Sequence, residues 1–469
     1  MPPPLTPAEY YAKHYPYEQL VALLTRNGDD LANCEFAIEG KTSSGDKLYK
    51  RYVSARGASE LREAVSRFTG VTAFHFGALY DNGVDKKRIQ AGESVATRRV
   101  LSFDIDLTDL EFLKLKDADG QVSAEMCDKA YPVSAAAAYI LRRVLHKAFG
   151  YTELLIVYSG RRGVHVHVFD EKAMALSDEA RAAVLDFVDC GMQRSDTHAP
   201  TGVRLVMNMY GQRKDVYRTF HTHVVGELGL LENGEDRIAF VNRLDLAAYE
   251  EYEKYAPTFA PLATDVLKCD TGAEAWKHIE ERIHSTGVEW MRERLDCVVL
   301  AYVWPRLDAA VTRDIKHLTK VPFSCHAATG RVAAAMGSER KRIFSFKPAR
   351  DAPSLREWHQ PLMHAAVARF RVDAARSTAT AATAATAATA ATTATTATTA
   401  TPGGGVDMEG VEDMEDVAGA QRRRAGFKRK PSPLATCAPA AGASASHRRP
   451  DAPVVRGARQ AGQAANPCR

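Results

Sequence analysis

The stretch LLIVYSGRRGVHVHVFD (Leu154–Asp170) fixes one piece of any fold this chain adopts: two apolar runs joined by a short basic turn. Gly160 and Gly163 free the backbone to reverse within Ser159-Gly160-Arg161-Arg162-Gly163, so the two runs read as a β-hairpin. In its second strand Val164, Val166 and Val168 share one face, and His165 and His167 the other. Two guanidiniums and a hydroxyl stand at the tip. Arginine's rigid fork matches phosphate oxygens, which suits the tip to a polyphosphate, although a solvated turn is the commoner use of such a sequence.

A second strand pattern, LSFDIDLTDL (Leu101–Leu110), places Asp104 and Asp106 on one face of an otherwise apolar segment, about 7 Å apart by strand rise. Like charges that close repel unless a cation, a proton or open solvent relieves them, and a divalent cation is the sharpest of these answers. A third stretch, WPRLDAAVTRDIKHLTKVPFSCHAATGR (Trp304–Arg331), offers Asp308, then Arg313, His317 and Lys320 at near-helical spacing, then His326 and Arg331. A charged helix face accounts for that spacing most simply.

Composition sets the frame around these stretches. The 469 residues are 45% hydrophobic and 26% charged, values of an ordinary globular chain, and the net charge of +4 is too mild to diagnose a partner. Eight cysteines without a CxxC pair suit free thiols in a reducing compartment. The first twenty residues lack the apolar core of a secretory leader, and no run approaches the roughly 18 apolar residues of a membrane span. A soluble intracellular protein is expected. Folding is expected over residues 1–376, mixing strands with helices, among them a helix capped by Ser177 and a helix-rich insertion over about 177–294. From 377 to 469 an Ala/Thr-rich run, an acidic segment and the basic RRRAGFKRKP (Arg422–Pro431) read as a disordered tail, the basic cluster being an import signal, a nucleic-acid contact or a solvated run.

Other candidates have plainer uses. His221 and His223 in TFHTHVV could share a strand face, but without a third ligand nearby they read as surface histidines. Leu295, Val298, Val299 and Tyr302 have the spacing of a helical core stripe, and packing is the expected use of Tyr10, Tyr11, Tyr15 and Tyr17.

Taken in order, FDIDLTD, YSGRRGVH and PRLD followed by HLTKVPFSCH and TGR resemble the catalytic small subunit of archaeal and eukaryotic DNA primases over most of residues 1–350. YYAKHYPYEQL, CEFAIE, LYKRYVSA and GALYDNG resemble the remaining landmarks of that family, and its eukaryotic branch fits best. The resemblance implies an α+β catalytic fold, mixed β-sheets flanked by helices, and a DNA-directed RNA polymerase that makes short primers for replication. It implies that Asp104, Asp106 and Asp308 hold two Mg²⁺ or Mn²⁺ ions, with Glu35 also in the active site. Ser159, Arg161, Arg162 and His165 would bind the triphosphate, His317, Lys320 and His326 would make further nucleotide contacts, and Arg51 would neighbour a phosphate or a metal. Single-stranded DNA, ribonucleoside triphosphates, a primase large subunit and DNA polymerase alpha are the implied partners, and the nucleus the implied location.

Two departures bear on those expectations. Where the eukaryotic family places a zinc site of closely spaced cysteines, this chain keeps Cys127 with Ala130 at a partner position, and one cysteine cannot close a tetrahedral site. His75 stands before FGALY where some relatives carry an acid near the ribose, so sugar preference rests on analogy. A primase-polymerase of damage tolerance, a non-catalytic primase-like subunit and a metal-dependent nuclease are the competing readings; the basic SGRR turn favours a triphosphate over a bare phosphodiester.

Overall fold

The computed structural model describes residues 4–371 apart from 42–44, 69, 110–112, 114, 117–119, 190–206, 208–210, 249–250 and 305–306. The Ala/Thr run, the acidic segment and Arg422–Pro431 lie outside the described residues.

Two antiparallel sheets hold the described strands. The first runs β2 (Lys47–Val53), β1 (Cys34–Lys41), β3 (Ala73–Tyr80), β4 (Ala96–Arg98), and the short β8 (Thr319–Lys320) also pairs with β3. The second has β5 (Leu101–Asp106) beside β7 (Gly163–Val168) beside β6 (Leu154–Tyr158). The expected hairpin is therefore β6–β7, and β5 adds to its β7 edge with Asp104 opposite His165 and Asp106 opposite Gly163. Every pairing between the described strands is antiparallel. Phe76 of β3 meets His167 of β7 edge-on at 5.8 Å between ring centroids, so the sheets touch through apolar and imidazole surface.

Helices cover the sheets and form a lobe of their own. Of the helices used below, α1 (Ala124–Phe149) is capped by Ser123 and carries Pro132 inside, and α2 (Asp178–Val188) is capped by Ser177 as its sequence predicts. The lobe contains α3 (Arg213–Thr219), α4 (Gly234–Leu244), α5 (Leu262–Leu267), α6 (Gly272–Ser285) and α7 (Glu289–Val303). Phe220, Phe240, Trp276 and Tyr302 pack at its centre, Phe220 lying 4.8 Å from Trp276 between centroids. Leu295, Val298, Val299 and Tyr302 are all buried, as expected of a core stripe.

Two local readings are corrected. TFHTHVV is helical, not extended: His221 and His223 lie in a π-helical turn (Phe220–Glu227), where His223 Nδ1 sits 2.9 Å from Glu227 Oε2. Nor do Arg313, His317 and Lys320 share a helix face. The helix α8 (Ala309–Arg313) stops at Arg313, and pairing with β3 pulls Thr319 and Lys320 into a strand. Tertiary pairing overrides local spacing here.

The N-terminal tyrosines are core, and they also hold a distant loop. Tyr10 and Tyr15 donate hydroxyl hydrogen bonds to the carbonyls of Phe323 and Pro322, each at 2.8 Å, while Tyr11 lies 3.2 Å from Ser324 Oγ and accepts the Cys325 amide at 3.0 Å. These contacts fix the segment between Lys320 and His326.

Candidate active site

The site is built where the two sheets meet. Asp104 projects from β5 beside its cross-strand partner His165, whose Nε2 lies 3.6 Å from Asp104 Oδ1. Asp308 arrives from far along the chain. Leu307 forms a bridge with Ile105, and the Asp308 amide reaches the Asp104 carbonyl at 3.4 Å, which lays the third acid against β5. Asp308 also caps α8 by accepting the Ala310 amide at 2.9 Å, and Thr312 of that helix donates to the Ser102 carbonyl at 3.0 Å. Asp104, His165 and Asp308 thus line one cavity of about 270 Å³ together with His75, His317 and Lys320. Asp308 is exposed at its rim and Asp104 half-buried within it.

Electrostatics follow from that crowding. Burial raises the Asp104 carboxyl above the usual range, and Asp106 and Asp308 push the same way against His165 and Lys320. For Asp106, burial would raise the carboxyl, but the Thr108 amide, Arg162 and the Thr108 hydroxyl outweigh it and hold the group below the usual range. Those contacts are close: Thr108 N and Oγ1 at 2.9 Å, Arg162 Nε at 2.8 Å from Oδ1 and 3.1 Å from Oδ2. Burial lowers His165, opposed by Asp104, and lowers Lys320, opposed by Glu39 and Asp104.

The turn at the hairpin tip depends on two glycines. Gly160 has φ +94°, and a Cβ there would come within 2.9 Å of His326 Cβ. A Cβ on Gly163 would stand 2.7 Å from the Ile105 carbonyl oxygen, so glycine lets β7 approach β5 next to the aspartates. Ser159 Oγ accepts the Gly163 amide at 3.0 Å and closes the turn. Arg162 leans on Asp106, while the Arg161 guanidinium has no ion-pair partner among the described residues. Thr329 donates to the Gly160 carbonyl at 2.7 Å, seating the loop that carries His326 on the tip. Burial beside Lys320, Arg161 and Arg162 pulls His326 down to about 4. Arg331 is engaged elsewhere, in a two-pronged pair with Asp128 of α1 at 2.6 and 2.9 Å.

Glu35 and Arg51 stand behind the cavity rather than on its wall. Glu35 is fully buried on β1 and accepts Arg51 Nε at 2.9 Å and Nη2 at 3.2 Å, the Tyr80 hydroxyl at 3.2 Å and the Tyr52 amide at 3.4 Å. Arg51 Nη2 also donates to the Lys316 carbonyl at 3.1 Å, buttressing the backbone next to His317. Sequence reasoning missed a comparable support. Buried Arg99 donates to the Val311 carbonyl at 2.9 Å and to Thr319 Oγ1 at 2.7 Å, tying the Asp308 helix to the Lys320 strand. Burial, reinforced by Arg181, brings its guanidinium down to about 9. Only its apolar neighbours Val100 and Leu101 hinted that Arg99 faces inward.

A second cavity, about 590 Å³, shares Lys320 with the first and is lined also by Glu39, Lys41, Lys47, Tyr49 and His326. Asp104 and Asp308 in the first cavity, and Lys41, Lys47 and Lys320 beside Glu39 in the second, suit the pair to a polyanionic substrate. The family model of the DNA primase small subunit matches residues 103–338, which spans all three acids, the hairpin and the His326 loop. This chain belongs to the DNA primase small subunit family. It is therefore a primase enzyme, a nucleotidyltransferase. It is 28% identical over 374 residues to the DNA primase small subunit of Schizosaccharomyces pombe, covering 76% of this chain and 77% of the relative. The Saccharomyces cerevisiae subunit is 27% identical, covering 74% and 82%, and the archaeal PriS of Thermococcus sibiricus 24% identical, covering 74% and 91%. Among the described residues of this primase subunit no helix is long and apolar enough to cross a membrane.

Proposed function

We propose that this primase subunit synthesises short RNA primers on single-stranded DNA in the nucleus, adding ribonucleotides to a 3′-hydroxyl with release of pyrophosphate. It works beside a primase large subunit and DNA polymerase alpha. The observation that carries this reading is the convergence of Asp104 and Asp308 on one cavity with His165 and Lys320, with Asp106 next along the same strand face bound by Arg162, and His326 in the second cavity that shares Lys320.

The donor set fits a hard divalent cation. Asp104, Asp106 and Asp308 offer only carboxylate oxygens, and the upward push on Asp104 from its two acidic neighbours is the penalty a cation relieves. When bound there, Mg²⁺ or Mn²⁺ ions supply charge neutralisation at the attacking and leaving oxygens. The protein's own groups do the positioning. Arg161 and Lys320 offer fixed positive charge to triphosphate oxygens, and Arg162 can exchange Asp106 for a phosphate at the same tip. His165 and His326, kept neutral at physiological pH by burial, each offer one ring N–H to a substrate oxygen without carrying a proton in the reaction. Glu35, Arg51 and Arg99 hold the backbone that bears His317 and Lys320.

The test is primer synthesis on unprimed single-stranded DNA with ribonucleotides or deoxynucleotides, with and without the large subunit. Ribonucleotide primers should form, most efficiently with the large subunit, and Asp104→Asn should lower the rate by about a hundredfold or more. Full activity of Asp104→Asn would overturn the mechanism. Preferential deoxynucleotide incorporation would replace the primer role with that of a damage-tolerance polymerase.

A further inference from the structure

The helical lobe holds a cluster that primer synthesis does not use. Cys269 lies in the turn between α5 and α6, and Glu274 and His278 follow on α6 at positions i and i+4, which stack two side chains on one helix face. One ligand atom from each of these three residues lies within 4.8 Å of the other two. We propose that this corner binds a single soft divalent cation, zinc above all, through the Cys269 thiolate, a Glu274 oxygen and a His278 ring nitrogen, water taking the remaining position.

Sulfur, nitrogen and oxygen donors brought together select zinc over the hard cations that suit an all-carboxylate site. A tetrahedral zinc holds such atoms about 3.5 Å apart, so the cluster closes by side-chain rotation without moving backbone. The surroundings are already fixed for it. Arg237 donates to the carbonyls of Cys269 at 2.7 Å and Val266 at 3.2 Å, which pins the turn. Thr271 caps α6 by accepting the Glu274 amide at 3.1 Å, and Glu274 Oε2 accepts the Asp270 amide at 2.8 Å, leaving Oε1 available. His278 has no hydrogen bond or ion pair among the described residues, and both it and Glu274 are exposed. Arg282 and Lys268 engage Asp265, at 3.1 and 3.6 Å, and Glu274 has no ion pair among the described residues. Binding replaces the thiol S–H bond with a sulfur–metal bond and releases one proton to solvent. The bound ion staples the α5–α6 turn to the second turn of α6. This position is far in sequence from Cys127, where the eukaryotic family's zinc loop would fall.

Cobalt titration of the full chain, stripped of metal and kept reduced, tests the assignment. One equivalent of Co²⁺ should produce the near-ultraviolet thiolate-to-cobalt charge-transfer band, which an all-oxygen site cannot give, and Zn²⁺ should displace it. The band should persist in Asp104→Asn and vanish in Cys269→Ser. His278→Ala, which alters an exposed side chain, should weaken the competing zinc affinity about tenfold or more. A missing band, a band unchanged in Cys269→Ser, or an unaltered affinity in His278→Ala overturns the site; should Cys269→Ser fail to fold, His278→Ala alone decides it.

Discussion

Gly163 shows how much chemistry one absent methyl group can permit. Its Cα faces the Ile105 carbonyl, where a Cβ would sit at 2.7 Å, a separation that backbone atoms do not tolerate. Gly163→Ala should therefore push β7 from β5, cost about 1–3 kcal/mol of stability, and loosen the alignment of Asp106 with Arg162. A urea denaturation midpoint equal to that of the parent chain would refute it. The close approach was not legible from sequence, where Gly163 reads as a turn residue. The alternation of Asp104 and Asp106 was legible, because strand period alone puts them on one face. Glu35 and Arg99 lay at the other extreme. Nothing in CEFAIE reveals that four donors converge on one buried carboxylate, and only the apolar Val100 and Leu101 beside it set Arg99 apart from Arg98.

At the scale of elements, strands with regular alternation were readable and elements made by long-range pairing were not. The hairpin β6–β7 follows from its own sequence. The two-residue β8 exists because β3 offers an edge, and the helical spacing of Arg313, His317 and Lys320 was an accident of numbers. The segment from Lys316 to Lys320 is held instead by Arg51, Arg99 and β3. Arg51→Met should expose that dependence. It leaves the buried Glu35 carboxylate without its cation, which costs about 3 kcal/mol or more, and it releases the Lys316 carbonyl. Because His317 and Lys320 sit on that segment, KM for the nucleotide should rise by more than kcat falls. Steady-state kinetics showing the reverse split would place Arg51 against the reacting atoms.

Across the whole molecule, several histidines are folded away neutral, and this sets the acid limit of the fold. His75 is brought from 6.5 to about 4 by burial, by the facing charges of Lys320, His317 and His165, against a hydrogen bond with the Ala37 backbone. The folded form binds its proton more weakly than the unfolded chain, so the stabilisation is complete above pH 6.5 and is lost as pH falls toward 4. His75 alone accounts for up to about 3 kcal/mol of that loss. Urea midpoints should decline between pH 6.5 and 5, above the range where ordinary carboxylates titrate, and His75→Gln should flatten the decline. A midpoint constant over that interval would contradict the burial.

The bridge between Ile105 and Leu307 brings together parts of the chain separated by roughly 200 residues. During synthesis the ribosome makes the hairpin and the first two acids early, then must complete the entire helical lobe before the last acid emerges, a delay of about 10 s or more at ordinary elongation rates. A nascent or prematurely terminated chain thus carries the hairpin with Asp104 and Asp106 but lacks the third acid, Asp308, that the finished fold lays against them.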